Sequence, residues 1–444
     1  MKKLTKILVT LLLICTLVTC QVSCDFIQKL TGGEKLVDYV ADLKLDMTSS
    51  SLKQEVTVKS YIDGDTTHFY VPTSVMESGV LKARYLAINT PESTGKIEEW
   101  GYKAAKFTKE KLKSATSIII ESDNDKWNVD STGGRYLVWV WYRTSDTEDY
   151  RNLNLEILQE GLAVASNSAQ NRYGDICMKA IAQARENELH VYSKEKDPEY
   201  FYGTAREITI SELRANIESY DKQKVAFTGI VTKISNNGAY VEAYDEETGM
   251  YNGIYVYYGT GLSGGGLEIL SVGNEVRVVG TVSYYETGDS YQVSGVQYRS
   301  RKPDDPDNLQ LISQGNSGSY VETSAERFTS MVDRVVIEDG EEVLKQFEYA
   351  KLCLATSISM KGLKVVDIYT TDNEESSSDG AMTLTCKVGD ITIDVRTAVL
   401  TDTDGNLVTE EFFDGKTIDV KGIIDCFDGT YQIKVFSLKD IVIK

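Results

Sequence analysis

From residue 51 onward the apolar positions fall into short alternating runs broken by glycine, and only three stretches carry a helical period. Residues 56–71 alternate and turn at Asp63-Gly64, which predicts a hairpin. Residues 81–88, 117–121 and 136–142 predict further strands. Residues 100–116 carry Ala104, Ala105, Phe107, Leu112 and Ala115 at helical spacing. Residues 153–161 predict a second helix ending at glycine, and residues 172–189 a third. Strands with helices around them predict an α+β domain over residues 51–200.

After Tyr202 strand patterns dominate, and an internal repeat is visible. Gly273-Asn-Glu-Val-Arg-Val-Val-Gly280-Thr-Val282 aligns with Gly415-Lys-Thr-Ile-Asp-Val-Lys-Gly422-Ile-Ile424. After a turn the copies continue as Ser290-Tyr-Gln-Val293 and Thr430-Tyr-Gln-Ile433. Glycines at such strand positions allow sharp barrel bends. Two mostly-β domains are therefore expected, residues 207–300 and 319–444, with a Pro-, Asp- and Gly-containing linker over 301–318. The first half of the second copy, residues 319–400, shows little beyond strand propensity, and residues 374–380 read as an exposed loop.

The N-terminus belongs to none of these. Lys2, Lys3 and Lys6 precede an apolar run of 13 residues, 7–19, too short to span a bilayer comfortably and typical of a secretory leader. Cys20 and Cys24 follow it. A cysteine just past such a run resembles the bacterial lipobox, where the thiol is acylated and becomes the new N-terminus. Cys20 has the better residue three before it; Cys24 has the better small residue directly before it, and the balance favours Cys24. An ordinary leader with incidental cysteines is the alternative. Residues 1–24 are then a lipoprotein-type signal peptide, residues 25–50 a tether, and the protein an exported one on the outer side of the cell membrane.

The formal net charge is −20 over 444 residues, of which residues 201–444 carry −17 and residues 51–200 carry −4. A protein that held nucleic acid by bulk electrostatics would be basic. Any polyanion must here be met locally, and the acidic half is expected to act as a spacer or protein-contact part. Two histidines, His68 and His190, and no Cys-x-x-Cys argue against a zinc site. Cys353, Cys386 and Cys426 share one segment, where two could pair or all three stay buried thiols.

Against that acidic background one order of residues stands out: Asp63-Gly64-Asp65-Thr66, Arg84, Asn89-Thr90-Pro91-Glu92, Gly134-Arg135. A carboxylate past a turn can hold a hard cation, a single Glu can take a proton from water, and two Arg can clamp a phosphate. Arg forms two hydrogen bonds to phosphate in a fixed fork, which Lys cannot. Taken singly each has a plainer reading: Asp-Gly as a hairpin turn, Glu92 as a solvated side chain after proline, the arginines as surface ion pairs.

The strings YIDGDT, ARYLAINTPE, GYKAAKFTKEKLKSATSIIIE, STGGRYLVWVWY and LNLEILQEGLA resemble the successive motifs of the thermonuclease family, the micrococcal-nuclease type, in order and spacing over about residues 51–196. The resemblance implies an OB-type barrel with three helices and a calcium-dependent, sugar-non-specific nuclease of DNA and RNA leaving 3′-phosphates. It implies Asp65 and the Thr90 backbone carbonyl as metal ligands, with Asp63 one layer behind them. Glu92 would be the general base, and Arg84 and Arg135 the phosphate arginines. Asn89 would be a further metal ligand that still offers an oxygen, but it departs from the family, which usually has Asp there as a second charged ligand. The tyrosines the family places beside the last arginine and after the GLA helix are also missing, and Tyr136 or Tyr173 could replace them. Residues 207–300 and 319–444 resemble bacterial OB-fold modules, whose partners the sequence leaves open; Tyr255, Tyr257, Tyr258, Tyr284 and Tyr285 could stack on bases or simply clothe a barrel. A monomer is expected. The alternative is a catalytically impaired thermonuclease-like surface lipoprotein that binds nucleic acid or protein, with Asn89 as its main support.

Overall fold

A computed structural model describes residues 36–444 apart from 95, 303, 319, 339, 340, 374 and 375. The leader and the two candidate acylation sites, Cys20 and Cys24, lie outside the described residues, as does part of the 374–380 loop. Three closed five-stranded barrels follow one another along the chain, all with the strand order 1-2-3-5-4-1.

The first barrel is β1 (Lys53–Asp63), β2 (Thr66–Tyr70), β3 (Val80–Tyr85), β4 (Ser117–Glu121) and β5 (Tyr136–Arg143). β1 pairs with both β2 and β4, and its register shifts at Val58/Ser60 and Tyr61/Asp63 let one long strand bend between two neighbours. β3 and β5 run parallel. The helical periods become α1 (Gly101–Lys113), α2 (Leu153–Gln159) and α3 (Gly174–Glu186). α2 starts where the Asn152 side chain accepts from the Leu155 N–H, and it ends at Gly161, whose φ of +69° a residue with a Cβ tolerates poorly. α2 is buried along its length, and Trp139, Trp141, Phe69, Leu81 and Ile120 fill the barrel. The expected tether is partly docked. Val40 is buried in this core, the Val37 and Tyr39 N–H groups donate to Gln183 and Gln159, and Asp38 pairs with Arg151.

The second barrel is β6 (Lys224–Ser235), β7 (Gly238–Asp245), β8 (Met250–Tyr257), β9 (Glu275–Tyr285) and β10 (Ser290–Ser294). The third is β11 (Ser357–Thr370), β12 (Met382–Val388), β13 (Ile391–Thr397), β14 (Thr417–Phe427) and β15 (Thr430–Val435). The repeat is thus the fourth and fifth strands of each. Its glycines sit where the fifth strand crosses: a Cβ on Gly280 would lie 2.7 Å from the Ser294 carbonyl oxygen, and one on Gly422 2.5 Å from that of Lys434. Within the expected linker, Gln310–Ser313 is a strand on the edge of β9. The third barrel is preceded by a hairpin, Met331–Glu338 with Glu341–Glu348, that the local pattern does not announce.

The second and third barrels share an interface. Tyr240, Ala355 and Ile423 are buried together, with Tyr255 and Phe436 against them. Glu242 accepts from the Ser357 N–H and hydroxyl, and burial pushes its carboxyl up. The Asn252 amide donates to the Leu352 carbonyl, and Gly253 backs onto Ala355 so closely that a Cβ would sit 2.4 Å from its carbonyl oxygen. The middle of the face of β7 and β8, by which OB-type barrels commonly take oligonucleotides, is therefore covered, while Tyr244 at its end stays exposed. Tyr255 belongs to this interface, its hydroxyl donating to the Ser235 carbonyl. Cys177, Cys353 and Cys386 are buried free thiols, and Cys426 is half-buried and free.

Candidate active site

The hairpin between β1 and β2 turns at Gly64-Asp65, with Asp63 opposite Thr66. Gly64 is needed for close approach: a Cβ there would meet Ala104 of α1 and the Thr90 side chain, each at 2.9 Å. This contact presses the turn against both α1 and the 89–92 segment. The Asp65 carboxylate is buried, accepts from the Thr90 N–H at 2.8 Å and from the Thr66 hydroxyl at 3.0 Å, and forms an ion pair with Arg84. Asn89, on the short strand Ile88–Asn89, accepts from the same guanidinium at 2.5 Å.

The two arginines meet because of strand register. In the parallel pair Ala83 lies opposite Tyr136 and Arg84 opposite Leu137, so Arg135 stands at the start of β5, two residues before the partner of Arg84. The side chain of Asn154 in α2 fixes that junction, donating to the Leu86 and Val138 carbonyls and accepting from the Val140 N–H. Burial, then the neighbouring Arg135 charge, lowers the pKa of Arg84. Arg135 is aimed by Asp130, which accepts from its Nε at 2.7 Å. Asp130 also accepts from Thr132 N–H and hydroxyl, closing a turn in which Gly133 has φ +74°. The turn needs Gly133 but not Gly134, whose φ is not in the left-handed region. Asp130 escaped the sequence reading, although its place at the head of a Ser-Thr-Gly-Gly-Arg loop was the available sign.

Two carboxylates complete the arrangement. Asp63 is buried and accepts from the Gly64 N–H at 2.7 Å and the Ser93 hydroxyl at 2.9 Å. Burial, together with the Glu92 carboxylate bonded beside it, pushes Asp63 up to about 7. Glu92 stands exposed in front of it. The Glu92 backbone is locked: its carbonyl accepts from the Glu98 N–H at 2.9 Å, its N–H donates to the Glu98 carboxylate at 3.3 Å, and Gly101 leaves only 2.2 Å for a Cβ against its carbonyl oxygen.

Residues 82–194 match the family described as Staphylococcal nuclease homologue. That span holds Arg84, Asn89, Thr90, Glu92 and Arg135, whereas Asp63 and Asp65 precede it and join the others through the β1–β2 turn. An uncharacterized protein of Methanocaldococcus jannaschii is 31% identical over 125 residues, which covers 24% of this chain and 56% of that protein. The chain thus spans about half the length of this curated relative. Residues 82–194 are thus a staphylococcal-nuclease-type domain, of OB-type fold, and such domains are generally calcium-dependent nucleases.

The oxygen set suits a hard cation of the calcium kind. Thr90 Oγ is buried without a hydrogen-bond partner and faces Gly64 of the turn, while the Thr90 N–H donates to the Asp65 carboxylate. Among the described residues no three Asp, Glu, His or Cys side chains gather as a metal cage. The set offers one carboxylate and neutral oxygens, and Arg84 already uses both Asp65 and Asn89. A cation has to compete with the guanidinium there. The replacement aromatics do not reach this place uniformly. Tyr173 packs edge-on against Trp139 and Trp141 and donates to Glu121, so it serves the core. His190 packs edge-on against Trp100 and bonds the Glu160 carbonyl, also structurally.

Proposed function

We propose that the protein is a metal-dependent, sugar-non-specific nuclease that hydrolyses phosphodiester bonds of DNA and RNA by attack of water. The observation that carries the reading is the convergence of two guanidinium groups, Arg84 on β3 and Arg135 at the start of the parallel β5, with an exposed glutamate set in front of a buried carboxyl, Asp63. A phosphodiester laid across Arg84 and Arg135 presents its charged oxygens to two planar forks, and the charge that grows on those oxygens as water adds is met by donors already in place. Glu92 orients the water and takes its proton. Asp63 lies buried behind it, where burial and the neighbouring Glu92 carboxylate raise its pKa. The proton leaves with departing ester oxygen, and products with 3′-phosphates follow if the 5′ oxygen departs. A calcium ion on Asp65, Asn89 and Thr90 would lower the charge barrier between the phosphate and the acids. On purified protein, single-stranded DNA and RNA should both be degraded in calcium, and EDTA should stop it. Activity indifferent to EDTA would remove the metal, and inertness toward both polymers would remove the reading.

Asn89 supports the second reading, a fold with weakened catalysis. It can be weighed directly. Asn89→Asp supplies a second charged oxygen, and the calcium concentration at half-maximal activity should fall about tenfold, the effect of about 1.4 kcal/mol in binding. An unmoved midpoint in a calcium titration means that residue 89 does not face the ion.

A further inference from the structure

A cleft of about 140 Å³ lies between the nuclease-type domain and the second barrel. Lys96 and Tyr102 line it from one side, Lys222, Lys224 and Arg299 from the other, and Tyr200 comes from the connection between them. Residues 201–444 are strongly acidic, yet three of their cations gather here and Asp307 is the one acid in the lining. The cations have partners: Lys222 with Glu199, Lys224 with Asp307 at 2.8 Å, Arg299 with Asp305 at 2.8 Å, and Lys96 with Glu98. These are partly solvated pairs of small net worth, and each cation retains further N–H donors. The hydroxyl of Tyr102 is buried with no hydrogen-bond partner, and Lys222 Nζ lies 5.5 Å from its ring centre. A buried polar atom without a partner costs about 1–3 kcal/mol, which a ligand atom placed there would recover.

The cleft adjoins the candidate active site. Lys96 bonds Glu98, and Glu98 accepts from the Glu92 N–H and donates its own N–H to the Glu92 carbonyl. One short loop thus carries the proposed base at its start and a cleft cation four residues later. The two walls are tied together beyond the cleft, where Lys109 and Lys113 of α1 pair with Glu286 of the second barrel. The middle of the β7–β8 face that such barrels commonly offer to oligonucleotides is covered by the third barrel, whereas three cations of the acidic half line this junction.

We propose that this cleft is a second subsite for the substrate, holding a phosphate of the same strand on Lys222, Lys224 and Arg299 and a base against Tyr200 while the scissile phosphate lies on Arg84 and Arg135. The assignment rests on the nuclease reading and makes the second barrel part of substrate binding rather than a spacer alone. It predicts dependence on strand length. With full-length protein, kcat/KM for a single-stranded oligonucleotide of about twelve nucleotides should exceed that for a dinucleotide. In Arg299→Glu, and in Lys222→Gln and Tyr200→Ala as milder changes, KM for the longer strand should rise about tenfold or more and the salt dependence of binding should flatten by about one unit of slope per lost phosphate contact. The advantage of length should collapse with it. Lys439→Glu, on an exposed turn of the third barrel, should change none of this. Fluorescence anisotropy of the labelled longer strand in EDTA gives the binding constant without cleavage. If wild type cleaves and folded cleft variants keep wild-type KM and anisotropy, the subsite is wrong and the nuclease reading stands. If wild type cleaves nothing, the nuclease reading falls, and anisotropy alone decides the cleft: unchanged binding in the variants overturns it, and weakened binding supports it.

Discussion

Glu92→Gln and Arg135→Ala are each expected to lower the turnover of single-stranded DNA by roughly 10²–10³-fold, the usual result of removing one group that acts only in the transition state. Neither should cost much stability, and that contrast separates chemistry from folding. Glu92 is exposed, and its neutral amide would relieve the repulsion that, after burial, raises Asp63. Thermal unfolding of Glu92→Gln should therefore match or slightly exceed wild type. Arg135 makes one half-exposed pair with Asp130, and such pairs contribute about 0–1 kcal/mol. Its loss should leave the fold intact while removing one of the two forks from the phosphate. A folded variant of either kind with a near wild-type rate would place the chemistry elsewhere.

The residues of this site could be read from the chain, but their meeting could not. The hairpin at Asp63-Gly64, the helical periods behind α1, α2 and α3 and the glycine ending α2 are local signals, because periodicity and turn chemistry act over a few residues. The parallel register of β3 with β5 is set by packing between segments about fifty residues apart, and that register, with the Asp130 turn, brings Arg135 near Arg84. Asn154 and Asp130 act through single hydrogen bonds to distant or turn atoms, which no hydrophobic pattern reports. The same limit explains the second half. Gly280 and Gly422 announced a repeat because a strand crossing excludes a Cβ. The first three strands of the third barrel passed as strand propensity alone. The docking of residues 36–43 and the pairing of Gln310–Ser313 also escaped, since a tether and an edge strand can share one composition and differ only in what lies beside them.

Arg84→Ala should be the most damaging single change, because Arg84 serves both the fold and the proposed chemistry. Its guanidinium is the cation paired with the Asp65 carboxylate, which is 2% exposed, and it also donates to Asn89. Removing one partner of a buried pair typically costs about 3–5 kcal/mol, since the other charge stays buried without compensation. A loss of that order should be visible in urea unfolding, alongside a fall in turnover of at least about 10²-fold. Arg84→Lys should restore much of the stability, because it returns a charge, but little of the rate, because it returns no fork. Calcium sharpens the argument. If the ion and Arg84 compete for the oxygens of Asp65 and Asn89, deleting the guanidinium frees that set, and calcium should raise the melting temperature of Arg84→Ala more than that of wild type, through preferential binding to the folded state. The added calcium should not bring back the rate. Equal calcium shifts in the two proteins would show that the ion and Arg84 do not compete for Asp65, and an Arg84→Ala protein as stable as wild type would show that the pair with Asp65 does not hold the turn.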